Sequence, residues 1–296
     1  MPATSITLII SPYHAGAYDH RVGGGPLRIL QHGIGPSLER LCPIHFANIG
    51  PVDDFEGEIG RTFEVMRRIS SAVTRAANAQ SFPIVLSGNC NASAAVAAGL
   101  RGAGVDDLGF VWMDAHDDLD TPDTHVNGYL DAMAVSMMAG RSWKALMGTV
   151  PGHCPAALDR FVYAGLRDVS DGQRAAVEAA GVPVVWGDAA AKTDFAGELA
   201  AVLARGRWGP THVHLDLDVL DESLGRVNEF PSPGGLYEED LMACMGSIPE
   251  KVEPTSLVVC SFNPRLEGGD TIARMAVRAV ERFVEKLVET KVLVSI

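Results

Sequence analysis

Residues 108–118 read LGFVWMDAHDD, a short apolar run that stops abruptly in Asp114-Ala115-His116-Asp117-Asp118. An apolar run of this length, bounded by polar residues, predicts a strand buried on both faces. Comparable runs recur as SITLII at 5–10, FPIVLS at 82–87, RFVYAGL at 160–166, THVHLDLD at 211–218 and SLVVCSF at 256–262. Between them lie stretches of helical period and composition: Glu58 to Gln80, Ala92 to Gly102, Gly172 to Ala180, Ala196 to Arg205 and Asp270 to Glu289. That alternation predicts an α/β fold, a three-layer α/β/α arrangement around a central, mostly parallel sheet. No internal repeat, low-complexity tract or Pro/Ser-rich linker divides the chain, so residues 1–296 are expected to form a single domain. The Gly/Pro clusters at 23–26 and 231–235 read as loops bordering a site, which open α/β sheets place at the carboxyl ends of their strands.

The bulk composition narrows the function. Against 24 basic residues stand 37 acidic ones, a formal charge of -13 that repels nucleic-acid backbones and anionic membrane surfaces. Five scattered cysteines (42, 90, 154, 244 and 260) make a poor disulfide framework and suit a reducing, cytoplasmic setting. No signal-peptide pattern opens the chain, and no run of eighteen or more apolar residues occurs in it.

Two of the predicted strands end in carboxylates: the first in Asp114, His116 and Asp118, the second in Asp216 and Asp218, with Asp221 just beyond. On extended chain, alternate side chains share a face, so each set is expected to converge. Either run alone reads equally well as a solvated strand end or a helix N-cap. Together they place four carboxylates in one pocket, an arrangement that repels itself unless cations neutralise it. Carboxylates with an imidazole suit manganese, iron, nickel or zinc.

These motifs resemble those of the ureohydrolase family of arginases, agmatinases and formiminoglutamases: Asp-Ala-His-x-Asp, then Asp-x-Asp followed by an acidic residue. The likeness extends to Arg21-Val-Gly-Gly-Gly-Pro26, Gly165-Leu-Arg-Asp168, Pro231-Ser-Pro-Gly-Gly-Leu236 and Asn263-Pro264. The resemblance implies two divalent ions, manganese foremost, bridged by Asp114 and Asp216, with Asp118 completing one sphere and His116 and Asp218 the other. It also implies a homo-oligomer, trimer or hexamer, acting on a small molecule. The family's remaining His ligand aligns with Cys90 in Leu86-Ser-Gly-Asn-Cys90. A thiolate there completes the set and shifts preference toward zinc or iron; otherwise Cys90 is a small buried residue.

Four departures bear on substrate. Ser261 stands where the family anchors guanidinium with a Glu, and Asp131 where it carries a proton-shuttling His. Asp131 reads as a general acid/base, as an anchor for a cationic group, or as a helix N-cap before Ala132. Asp120 and Ser170 replace the family's contacts to the amino-acid head of arginine; Asp120 repels an α-carboxylate and Ser170 offers no charge to an α-ammonium. Arginine is therefore not the expected substrate. His125 and Asn127 are placed at the mouth, Asn228 and Glu229 in surface loop, and His212 and His214, sharing one face of their strand, receive no role. The reading is a binuclear hydrolase of a C–N bond in a small guanidino, ureido or amidine compound, assisted by Asp131. Hydrolysis of a different linear C–N bond stays open beside it, as does a non-catalytic relative serving as a small-molecule sensor or assembly subunit.

Overall fold

The chain's apolar runs carry hydrophobic side chains on successive residues, which suits strands with helices on both sides. Ile84 and Leu86 pack into one core and Val85, between them, into the other. The computed structural model of the protein describes residues 2–53 and 57–294. Its strands are β1 (Ser5–Ser11), β2 (Tyr13–His14), β3 (Ala17–Tyr18), β4 (Ile44–Asn48), β5 (Ser81–Ser87), β6 (Gly109–Met113), β7 (Phe161–Leu166), β8 (Val184–Trp186), β9 (Pro210–Asp216) and β10 (Glu253–Cys260). Eight of them form one sheet in the order β4-β1-β5-β10-β9-β6-β7-β8, with every neighbouring pair parallel. β2 and β3 form a separate antiparallel hairpin.

The helices are α1 (Gly25–Gln31), α2 (Ile34–Glu39), α3 (Glu58–Asn78), α4 (Ala92–Gly102), α5 (Ala134–Met138), α6 (Lys144–Met147), α7 (Asp171–Ala179), α8 (Phe195–Arg205), α9 (Glu238–Lys251) and α10 (Gly269–Glu289). Helices α3 to α7 contribute to the core on one face of the sheet; α1, α2, α8, α9 and α10 contribute to the core on the other. The alanines of α4 let it lie close to α3, and at Gly99 a Cβ would meet the Ser70 carbonyl oxygen at 2.5 Å. The result is the α/β/α sandwich predicted from the alternation.

All six strands read from the sequence are present, as are the five long helices, with ends shifted by a few residues. Unread were the edge strands β4 and β8, the hairpin β2–β3, and the helices α1, α2, α5, α6 and α9; residues 23–26, expected as loop, end a 3-10 turn and open α1. β4, IHFAN, has no fully buried residue and β8 is three residues long, so neither carries a strong apolar signal. Gly246 and Pro249 interrupt the helical pattern of α9.

One geometric expectation is corrected. Alternation along extended chain predicts the acidic residues on strand ends, but β6 stops at Met113 and β9 at Asp216. The motifs turn sharply instead. The Asp114 carboxylate accepts from the His116 amide and the Asp216 carboxylate from the Asp218 amide, each at 2.8 Å. Asp118 adopts a left-handed conformation, φ 50°. These side-chain turns, rather than strand pleat, bring the acids together.

Candidate metal centre

β6, β9, β10 and β5 are central neighbours, and their carboxyl ends deliver the site. Asp114 leaves β6, Asp216 ends β9, Ser261 follows β10, and Cys90 lies in the turn between β5 and α4. That turn is closely packed: a Cβ on Gly88 would meet the Tyr13 carbonyl oxygen at 2.1 Å. Asp114, Asp118, Asp216 and Asp218 are all buried, and with Cys90, His116, Asp120, Asp131 and Ser261 they line a cleft of about 140 Å³. At roughly 10–15 Å³ per water position, this admits a small molecule.

The acids are held by specific donors. Trp112 Nε1 donates to Asp114 Oδ2 at 3.0 Å and Asn228 Nδ2 to Asp218 Oδ2 at 2.8 Å. His116 Nδ1 lies 3.2 Å from Asp218 Oδ2 and 3.5 Å from Asp114 Oδ1; its Nε2 is 3.4 Å from Asp168 Oδ2. Burial opposes charge on His116, but Asp218, with Asp114 and Asp168, raises its pKa well above the usual imidazole value. Burial, reinforced by surrounding carboxylates, drives Asp118 and Asp216 well above the carboxylate range. Burial works the same way on Asp218, but the facing His116 and the Asn228 hydrogen bond hold it below. Asp118 Oδ2 is buried with no hydrogen-bond partner, which is costly for an anion unless a cation faces it. Three overlapping sets of donor atoms converge within 4.8 Å: Asp114, His116 and Asp218; Cys90, Asp114, Asp118 and His214; and Cys90, His214, Asp216 and Cys260. Converging carboxylates, an orphan carboxylate oxygen and imidazole nitrogen fit divalent cations.

Asp131 does not cap its own helical turn. Its carboxylate reaches across to the β5–α4 turn, accepting from Asn89 Nδ2 and from the Cys90 amide at 2.6 Å each, and from Tyr129 Oη at 3.3 Å. Burial pushes it up to about 6, although the Asn89, Cys90 and Tyr129 hydrogen bonds pull the other way. Asp120, partly buried, receives Gln173 Nε2 at 3.2 Å. Ser261 has φ 62° and places its hydroxyl 3.1 Å from Cys90 Sγ. Asn127 and Ser170 stand away from the cleft: Asn127 is exposed and accepts from the Tyr129 amide, while Ser170 is the N-cap of α7 in a capping box with Gln173.

A match to the Arginase family model spans residues 4–285. The chain belongs to the arginase family. It is 26% identical to the arginase of Bacillus caldovelox over 301 residues, covering 95% of this chain and 99% of that one. The crystal structure of arginase from Bacillus subtilis superposes with a TM-score of 0.81 at 22% identity, covering 95% and 98% of the two chains. Proclavaminate amidino hydrolase from Streptomyces clavuligerus shares the fold with a TM-score of 0.72 at 18% identity, covering 97% and 92%.

Within this arginase-family site, several residues at or beside the cleft escaped the sequence reading. Asn228, expected at the loop surface, is buried and holds Asp218. Glu229 lines the cleft, paired to Arg21 at 3.1 Å. His214 and Cys260 join the metal-capable clusters. His212, by contrast, bonds Ser256 away from the site. Asp221 lies outside the clusters too; it accepts from the Gly234 and Gly235 amides and so fastens the loop 231–235. The signal for His214 was present, two residues before Asp216 on the same strand face. For Cys260 it was not, because its place beside Asp216 depends on β10 pairing with β9.

Proposed function

We propose that this arginase-family protein is a binuclear metal-dependent hydrolase that cleaves a linear C–N bond in a small guanidino, ureido or amidine compound other than arginine. The observation that carries this reading is the convergence of Asp114, Asp118, Asp216 and Asp218 with His116 at a small open cleft. Two divalent ions held there, from the manganese, iron, nickel and zinc group, would supply Lewis acidity and an activated water. Asp114 is common to two of the donor sets and Asp216 belongs to the third; they would supply carboxylate oxygens to the two ions. Trp112 and Asn228 orient the carboxylates through the hydrogen bonds described above.

Asp131 faces the same cleft and is assigned to proton transfer toward the departing amine. Asn89 and the Cys90 amide fix its rotamer, so it meets substrate in one orientation. The substrate carries no carboxylate next to Asp120, whose charge lines the cleft. Ser261 provides a hydroxyl rather than a carboxylate, which ranks neutral ureido compounds ahead of the cationic guanidino and amidine members of this class. The test is a screen of guanidino, ureido and amidine compounds for release of urea, ammonia or amine by protein loaded with manganese, nickel, zinc or iron. Turnover on a member of this class that is lost on chelation is expected. A fully loaded protein inert toward the whole class overturns the assignment.

A further inference from the structure

We infer that one of the two metal positions is a sulfur-rich site in which Cys90, Cys260, His214 and Asp216 together hold a zinc-class cation. This deepens the preceding reading and needs from it only that a divalent ion binds at the cleft.

The four residues come from two strands and a turn. In the sheet register Cys260 of β10 sits beside Asp216 of β9, and His214 lies two residues earlier in β9 on the same face. Cys90 approaches from the β5–α4 turn. All four are buried and their donor atoms lie within 4.8 Å of one another. Cys260 Sγ is 3.8 Å from each of Cys90 Sγ, His214 Nε2 and Asp216 Oδ2. A tetrahedral zinc with sulfur bonds near 2.3 Å sets two sulfurs about 3.8 Å apart, and sulfur and nitrogen only slightly closer. The sulfur–sulfur edge is therefore that of a ligand tetrahedron, and the other two edges through Cys260 are longer than one by about 0.3 Å. The edge from Cys90 Sγ to Asp216 Oδ2 is 2.9 Å, the length of a hydrogen bond donated by the thiol; a tetrahedral cation replacing that proton widens it by about 0.7 Å.

His214 is oriented as a ligating imidazole is. Its Nδ1 lies 2.8 Å from Ser93 Oγ, which leaves Nε2 directed at the cluster. The ring stacks on Trp112 with centroids 3.6 Å apart and planes 8° from parallel. Trp112 in turn donates to Asp114, so one indole sets both His214 and a carboxylate of the neighbouring donor set. Two thiolates and an imidazole form a soft set, which prefers zinc, cobalt or ferrous iron to manganese.

The experiment is cobalt substitution of the whole protein, read by the sulfur-to-cobalt charge-transfer band in the near ultraviolet, whose intensity follows the number of thiolates bound. Cys260→Ser and Cys90→Ser are each expected to lower the band about two-fold per bound cobalt, and the double variant to abolish it. Cys244→Ser, at a buried thiol outside the cleft, leaves it unchanged. A band insensitive to Cys260→Ser, or cobalt bound with no sulfur band at all, overturns the sulfur-rich site while leaving the hydrolase reading intact. Failure of the wild-type protein to bind any divalent ion overturns both. Should the serine variants not fold, zinc-edge X-ray absorption of the wild-type protein holding one equivalent of zinc decides alone: two sulfurs in the first shell are expected, and one or none contradicts the proposal.

Discussion

At the scale of single residues, Asp131 carries two functions in one carboxylate. It pins the Cys90 turn through two short hydrogen bonds and it faces the cleft. Asp131→Asn keeps the shape but sets an amide against at least one of those donors. Turnover is expected to fall by about 10²–10⁴-fold, with metal content unchanged by elemental analysis; retained turnover would reduce Asp131 to a fastening of the loop. Asp218→Ala removes the carboxylate nearest His116 and the acceptor of Asn228. About one metal ion per chain should then be lost, with activity; unaltered metal content and activity would refute the role given to Asp218. What the sequence made legible here were the acids, since a carboxylate closing an apolar strand is unusual enough to notice twice. His214, Cys260, Asn89 and Asn228 are common residue types, and only the neighbourhood of β5, β9 and β10 gives them meaning.

Secondary elements deliver these residues through loops that are themselves fastened. Arg167, just past β7, donates to the carbonyl oxygens of Gly165, Asp218, Val219, Leu220 and Ser232, joining the segment after β9 to the loop 231–235. Arg167→Met removes five hydrogen bonds to partly buried carbonyl oxygens and is expected to lower stability by about 2–4 kcal/mol, read as a lower urea midpoint. An unchanged midpoint would mean that water replaces the guanidinium without cost. Gly88→Ala drives a Cβ into the Tyr13 carbonyl. The β5–α4 turn must then move, and both thermal stability and metal affinity should drop; wild-type values for both would contradict the packing described. Strands with apolar side chains on both faces were readable from composition. The turns that aim Asp114 and Asp216 were not, because side-chain capping of a backbone amide leaves no periodic pattern in sequence.

Over the whole molecule, the parallel sheet places its acidic strand ends at one rim, and the net charge of -13 adds to the repulsion gathered there. Folding therefore couples to cation binding. Removing metal with a chelator is expected to lower the melting temperature, and adding back a divalent ion at a hundred times its dissociation constant should restore about 2.7 kcal/mol for each site. No change on chelation would mean the cluster is stable without cations. The α/β/α fold was legible because strand and helix alternate along the length; the sheet order was not, since it depends on which strands meet in space. The most direct test of the binuclear assignment is metal content per chain, measured by elemental analysis on protein purified without chelator and again after dialysis against manganese, nickel, zinc or iron. About two divalent ions per chain are expected in at least one of these states, whereas a content near zero in all of them would contradict the assignment.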